Sequence, residues 1–281
     1  MSKRKTKNVL RLAASYITLV ILAICAIYPA LWIVMGSLRP GTSLYSKTLF
    51  PSTLTLDHYR ELFNSRIILF PQWYMNTLKV AIFSMLLGVL LTLLTSYALS
   101  RFRFRGRQNA MSLLLVLGMF PGFMSMIAIF LLLKEMQLLD THVALIMVYA
   151  AGAPLGLTLI SKGFFDTIPR SLDEAARIDG ASNFKIFTRI ILPLSKPILT
   201  YLALLQFVGP WVDFIFARLI LRSKDKWTLA VGMWDMVSSN QNSNFTLFAA
   251  GAVMIAVPIT ILFMFMQRLL VEGLTAGASK G

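Results

Sequence analysis

Apolar runs long enough to cross a bilayer recur six times along the chain, at about 12–36, 73–100, 110–133, 141–161, 197–220 and 245–270, with polar stretches between them. The pattern predicts an all-α polytopic membrane protein with six transmembrane helices and both termini on one side of the bilayer. Pro29 lies inside the first run and is expected to kink it. Phe120-Pro121-Gly122 breaks the third run, and Gly209-Pro210 interrupts the fifth. A break at mid-membrane frees backbone groups that must face protein or water. Pro121 and Gly122 are therefore candidates for lining a translocation path, with a plain packing kink as the alternative. Trp211 and Asp213 follow the second break and are candidates for the same path. An acid at membrane depth is costly unless it faces water or a partner. In the alternative reading Asp213 lies near the outer surface, paired with Arg218.

The polar segments carry their own signals. Within 37–72, the stretch LDHYRELF at 56–63 has helical spacing, with Leu56, Tyr59, Leu62 and Phe63 on one face and Thr55 placed to cap it. Trp73 and Tyr74 suit an aromatic belt at the outer interface. Asn76 and Thr77 suit hydrogen bonding between helices. The stretch 221–244 reads as an external loop ending in the polar run SSNQNSN.

Composition fixes the class. Of 281 residues, 57% are hydrophobic and only 14% charged, which suits a bilayer and not a soluble core. The net charge is +15, yet neither an aromatic-rich basic module nor a zinc pattern accompanies it, so nucleic acid is not an expected partner. The charge follows topology instead. The tail 1–11, the Arg101, Arg103, Arg105 and Arg107 series, the loop 162–196 and the C-terminal end hold 17 of the 27 Lys and Arg but only five of the 12 acids. That asymmetry predicts cytoplasmic termini. Cys25, the single cysteine, has no partner for an intramolecular disulfide. Two histidines, His58 and His142, do not make a metal site, and no phosphate-binding G-x-x-x-x-G-K-[ST] loop is present.

The chain's most informative stretch is 171–193, SLDEAARIDGASNFKIFTRIILP, lying between two apolar runs. It reads as a helix, a break at Gly180, a second helix and a proline that opens the next span. Ser171 is placed to cap the first helix, with Glu174 completing a capping box. Gly180 permits a sharp turn, Ile190 and Leu192 can anchor the second segment, and Pro193 is expected to impose a bend. Ala175 and Ala176 allow a close partner surface.

Glu174-Ala175-Ala176, Gly180, Ile190, Leu192 and Pro193, at this spacing, resemble the coupling loop of inner-membrane permease subunits of binding-protein-dependent ABC transporters. The segment TLAVGM at 228–233 and the end QRLLVEGLTAG point within that family to the maltose/maltodextrin type. The resemblance implies a type I ABC importer permease fold in the bacterial cytoplasmic membrane, with loop 162–196 and tails 1–11 and 271–281 in the cytoplasm. It implies a second related permease subunit, two copies of an ATP-binding subunit and an extracytoplasmic maltodextrin-binding protein. This chain would bind no cofactor, ATP and Mg belonging to the partner ATPase. Carried over by position, Glu174 to Pro193 would couple to the ATPase. Thr275, Ala276 and Gly277 would contact it from the tail, and Ser239, Asn240, Gln241, Asn242, Ser243 and Asn244 would reach the binding protein. By composition alone, that last run is an ordinary polar loop. In this family most sugar contacts belong to the other permease subunit, which weakens the assignment of Trp211 and Asp213. Importers of other oligosaccharides or of glycerol phosphate share the same loop. An intramembrane enzyme or a secondary carrier is the contrasting class, and neither needs a coupling loop.

Overall fold

The computed structural model describes the backbone of residues 2–45, 47–238 and 243–278, and the side chains of 11–45, 47–238 and 243–267. Every regular element among the described residues is helical: α1 (Ser2–Ser37), α2 (Asp57–Asn64), α3 (Phe70–Arg101), α4 (Arg107–Met119), α5 (Gly122–Glu135), α6 (His142–Thr167), α7 (Arg170–Ile178), α8 (Asn183–Ile186), α9 (Leu192–Leu194), α10 (Lys196–Val212), α11 (Ile215–Ile220), α12 (Leu229–Ser238) and α13 (Phe245–Ala278). A π-helical turn, Phe187–Ile191, joins α8 to α9.

Four helices among the described residues are long and apolar enough to cross a membrane alone, at Arg11–Ser37, Phe70–Arg101, His142–Thr167 and Phe245–Gln267. Two bent helix pairs meet the same test when each is taken together, which gives up to six spans. α4 and α5 meet at 98°, and α8–α9 meets α10 at 83°. The chain is a multi-pass membrane protein.

Several boundaries differ from the sequence expectation. The basic N-terminal residues already belong to α1, and the C-terminal tail continues α13 to Ala278. Lys162 and Asp166 lie on α6, which runs six residues past the expected end of its span at 161. Gly209-Pro210 does not interrupt the fifth span, because α10 runs through both and ends at Val212. The bend near the start of that span lies at Ser195, not at Pro193, which sits inside α9. Proline is tolerated in the first turn of a helix, where its missing N–H has no partner to lose.

The chain divides into two compact units. The first comprises 1–68 and 235–256. In it, residues 11–30 of α1 are all exposed, Cys25 included, as a helix facing lipid or another subunit would be. His58 Nε2 bonds to Arg39 O at 2.8 Å, and Tyr59 OH lies 2.7 Å from Ser37 Oγ. The buried face of α2 is thus His58 and Leu62, with Leu56 and Phe63 exposed, contrary to the expected face. Thr55 Oγ accepts from Asp57 N at 3.1 Å, although Leu56 holds the capping position. Asn244 starts α13, its Oδ1 accepting from Leu247 N at 2.9 Å, and Phe245 N donates to Thr42 O at 2.9 Å.

The second unit comprises 69–234 and 257–281 and is built around α3. Small and hydroxyl residues of α3, including Ser84, Gly88, Thr92 and Ser96, are buried. Ser96 Oγ donates to Thr158 O on α6 at 3.1 Å, so α3 and α6 pack closely. Trp73 is not an interfacial anchor. It is 1% exposed, and its Nε1 donates to Lys224 O at 2.8 Å. Asn76 and Thr77 bond backbone rather than a neighbouring span. Asn76 Nδ2 donates to Trp227 O at 3.0 Å, and Thr77 Oγ1 accepts from Leu229 N at 2.7 Å.

Candidate functional site

The stretch 171–193 forms α7, a left-handed turn, α8 and the π-helical turn. Gly180 has φ +76, the conformation expected for it, and ends α7 as Ala181 N bonds back to Ala176 O at 2.9 Å. The expected capping box is absent. α7 starts at Arg170 behind Pro169, so Ser171 is already helical and no side chain caps the end. Ser182 does cap α8, accepting from Lys185 N at 3.3 Å.

α7 has two distinct faces. Asp173 is buried, with its Oδ2 3.0 Å from Arg101 Nε at the end of α3. Both side chains are nearly enclosed, Arg101 at 2% and Asp173 at 8% exposure. Arg101 Nη2 also donates to Ile168 O at 3.0 Å, Arg170 Nη2 donates to Ser100 O at 3.3 Å, and Ser100 Oγ donates to Asp166 at 2.6 Å. The ends of α3, α6 and α7 are thereby joined. Sequence reasoning missed Arg101, which it grouped with Arg103, Arg105 and Arg107 as topology charge. Arg103 and Arg105 are exposed, whereas Arg101 is buried.

The other face carries Glu174 and Ala175, both exposed. Three exposed apolar side chains accompany them on this segment: Leu172, Ile178 and Phe184, the last two at 87% and 75%. Ala176, Ile190 and Leu192 pack inward against a core that includes Tyr97, Phe165, Ile186, Phe187 and Ile191. Ile190 and Leu192 therefore do anchor the segment, but the fully buried Ile186 and Ile191 beside them are the deeper anchors. Pro193 is exposed. The arrangement is a short lever, fixed on one side by charge and apolar packing, with an acid and bare apolar groups on the other.

The path candidates separate. Asp213 ends α10, accepts from the Tyr149 hydroxyl, and takes a second bond from Phe216 N at 3.1 Å. It does not pair with Arg218, which lies 4.9 Å over the Trp227 ring. With Tyr149, Gln206, Gly152, Gly156 and Gly209, Asp213 lines a cavity of about 410 Å³. Trp211 is buried elsewhere, edge-on to Tyr74 with centroids 5.1 Å apart. Pro121 and Gly122 are exposed at the α4–α5 bend and do not line that cavity. Sequence reasoning missed Tyr149 and Gln206, whose only signal was a polar group within an apolar run.

Ser239, Asn240, Gln241 and Asn242 lie outside the described residues, as do the side chains of Thr275, Ala276 and Gly277. Ser243 Oγ donates to Val237 O at 3.1 Å. Among the described residues, no three His, Cys, Asp or Glu side chains group as a metal site.

Comparison with known proteins agrees with this architecture. The galactooligosaccharides transport system permease protein GanQ of Bacillus subtilis (strain 168) is 42% identical over 282 residues, covering 100% of both chains. The maltodextrin transport system permease protein MdxG of the same organism is 40% identical over 276 residues, covering 98% of this chain and 99% of its own. Among solved structures, a chain of a bacterial ABC transporter involved in import of the acidic polysaccharide alginate superposes with a TM-score of 0.81 at 24% identity, covering 93% of this chain and 97% of that one. The family described as binding-protein-dependent transport system inner membrane component matches residues 84–275, which take in α7 and most of the helices around it. This chain belongs to that family, the inner-membrane permease components of ABC transporters.

Proposed function

We propose that the chain forms half of the transmembrane pathway of an oligosaccharide importer, with α7 as the element that receives work from a partner ATPase. The observation that carries this reading is the two-faced α7. Its Asp173 is locked to Arg101 at 3.0 Å, while Glu174, Ala175 and Ile178 stand free of the chain's own core. A partner that moved this helix would move the ends of α3 and α6 with it. The partners are a second permease subunit, two ATP-binding subunits that hold ATP and Mg, and an extracytoplasmic binding protein. The termini and α7 lie in the cytoplasm, Thr275 to Gly277 meet the ATPases, and 239–244 meet the binding protein. The named sugars of GanQ and MdxG and the acid–tyrosine–amide lining at Asp213, Tyr149 and Gln206 support a hydroxyl-rich substrate.

The tail QRLLVEGLTAG favours maltodextrins, and the 42% identity to GanQ favours galactooligosaccharides. One experiment separates them. The purified complex is reconstituted in vesicles with its binding protein, and ATP hydrolysis is followed with maltotriose or with a galactooligosaccharide. We expect stimulation by maltotriose, abolished by Glu174→Lys while the subunits still co-purify. Stimulation by the galactooligosaccharide alone would keep the machine and replace the substrate. Stimulation that survives Glu174→Lys would remove Glu174 from the coupling contact.

A further inference from the structure

A second polar cavity, of about 570 Å³, opens at the same end of the second unit as α7 and has no part in the transport reading. Arg107, Lys162, Gln108 and Asn109 supply its polar wall, and Phe104 and Met111 its apolar one. We propose that this cavity binds a phosphate oxyanion, and that in the membrane the phosphate is the headgroup of an anionic glycerophospholipid.

The charge balance favours an anion. Two cations line the cavity, and Arg103 and Arg105 stand exposed on the connection leading to it. The nearby acid is Asp166, which pairs with Lys162 and accepts from the Ser100 hydroxyl at 2.6 Å, so the charge in excess at the cavity is that of Arg107. The Arg107 Nε is buried without a hydrogen-bond partner, a donor that a phosphate oxygen would satisfy. The backbone adds to this. α4 begins at Arg107 behind Gly106, whose φ is +84, and no side chain caps it. Arg107 N bonds back to Phe104 O at 3.3 Å, and the next two N–H groups, of Gln108 and Asn109, are left for an anion.

Position selects the lipid. The basic residues stand where the connection ends and apolar α4 begins, and no residue of α4 is buried. Leu113 and Val116 are more than half exposed. A phosphate seated between Arg107 and Lys162 would leave its acyl chains to run along that apolar surface, with Phe104 and Met111 at the junction. A soluble anion would have no use for the apolar wall. Basic pockets between spans are a recurrent form of headgroup recognition.

The test uses the intact complex in nanodiscs, because its readout is bound lipid and not transport. Native mass spectrometry counts phosphatidylglycerol and phosphatidylcholine retained per complex after detergent exchange. Wild type is expected to retain one phosphatidylglycerol per copy of this chain in preference to phosphatidylcholine. Equal retention of the two lipids by wild type would overturn the proposal without any variant. Arg107→Gln combined with Lys162→Gln is expected to weaken that retention about tenfold or more. Arg103→Gln should leave it in place. Loss in Arg103→Gln to the same extent would show diffuse attraction to the basic connection and overturn the site. In phosphatidylcholine discs, inorganic phosphate is titrated as the competing source. Binding as tight as that of phosphatidylglycerol would assign the cavity to a free anion and overturn the lipid occupant, while markedly weaker binding supports it.

Discussion

Helix α3 is fastened at Trp73, Asn76 and Thr77 toward one end and at Ser100 and Arg101 toward the other, by different chemistry. At the first end every listening partner is backbone: Trp73, Asn76 and Thr77 reach Lys224 O, Asp225 O, Trp227 O and Leu229 N. Asp140 adds to the same segment, accepting from Arg222 N at 2.9 Å and Ser223 N at 3.0 Å. The chain folds back over this end and closes it with its own atoms. At the second end the fastening is a side-chain ion pair between Arg101 and Asp173, and the segment it holds keeps Ile178 and Phe184 bare. The first end is finished within the chain, whereas the second is rigid inward and incomplete outward. The coupling role proposed for α7 needs both properties, because a loose lever would absorb the motion and a covered one would have no partner.

The difference is sharpest at the ion pair. Arg101→Met leaves the Asp173 carboxylate buried and uncompensated. Breaking one side of a buried pair costs about 3–5 kcal/mol. We expect a large fall in the thermal midpoint of the purified complex, together with loss of the ATPase on purification. Replacing both, Arg101→Met with Asp173→Leu, should recover most of the stability, because two apolar groups carry no desolvation penalty. If the double variant is as unstable as the single one, the link is not acting as a charge pair.

At the opposite end the equivalent lesion is steric. A Cβ on Gly232 would stand 2.0 Å from Trp73 Cε3. Trp73 is fully enclosed and held by Lys224 O, so the ring cannot swing clear. Gly232→Ala is expected to cost about 1–3 kcal/mol by overpacking. In thermal melts it should destabilise the complex while leaving the coupling ratio of the surviving molecules unchanged. A change in that ratio would show that this end, too, transmits motion. Thr77→Val is a milder version, leaving the Leu229 N–H without its acceptor. About 1–3 kcal/mol is expected, toward the lower end if water reaches the site.

The two ends were unequally legible in the sequence. Hydropathy marked the four long apolar helices, and Pro121 marked the α4–α5 break because the residue before a proline leaves the helical region. Gly180 was legible because only a residue without Cβ adopts its left-handed turn cheaply. Arg101 was not, since four arginines at alternate positions look alike and only folding buries one of them. Nor does spacing say which of Asp173 and Glu174 turns inward. The capping box at Ser171 is absent because Pro169 takes the N-cap position, two residues before the hydroxyl. α12 is not legible as a helix because it is a short apolar element whose burial under Trp73 depends on contacts more than a hundred residues apart.

The smallest expected effect concerns Asp140, which tests whether the closed end behaves as a set of neutral-pH contacts. Burial pushes its carboxyl up, but the Ser223 hydroxyl and N–H, the Arg222 N–H and the Lys226 ammonium outweigh burial and hold it well below the usual carboxylate range. A carboxyl depressed on folding contributes stability above its unfolded value, about 3.9, and loses it only as pH falls through the lower folded value. Amide exchange at 222–226, corrected for intrinsic rates, should therefore show a constant gap between wild type and Asp140→Asn from pH 7 down to about 4. The gap should be small, about 1 kcal/mol or less, since Lys226 is 43% exposed and solvent screens its pairing. Below that range the gap should close as the wild-type carboxylate takes up its proton. Closure already between pH 5 and 6 would mean that these donors do not hold the carboxylate, and the contrast with the Arg101–Asp173 end would lose its electrostatic half.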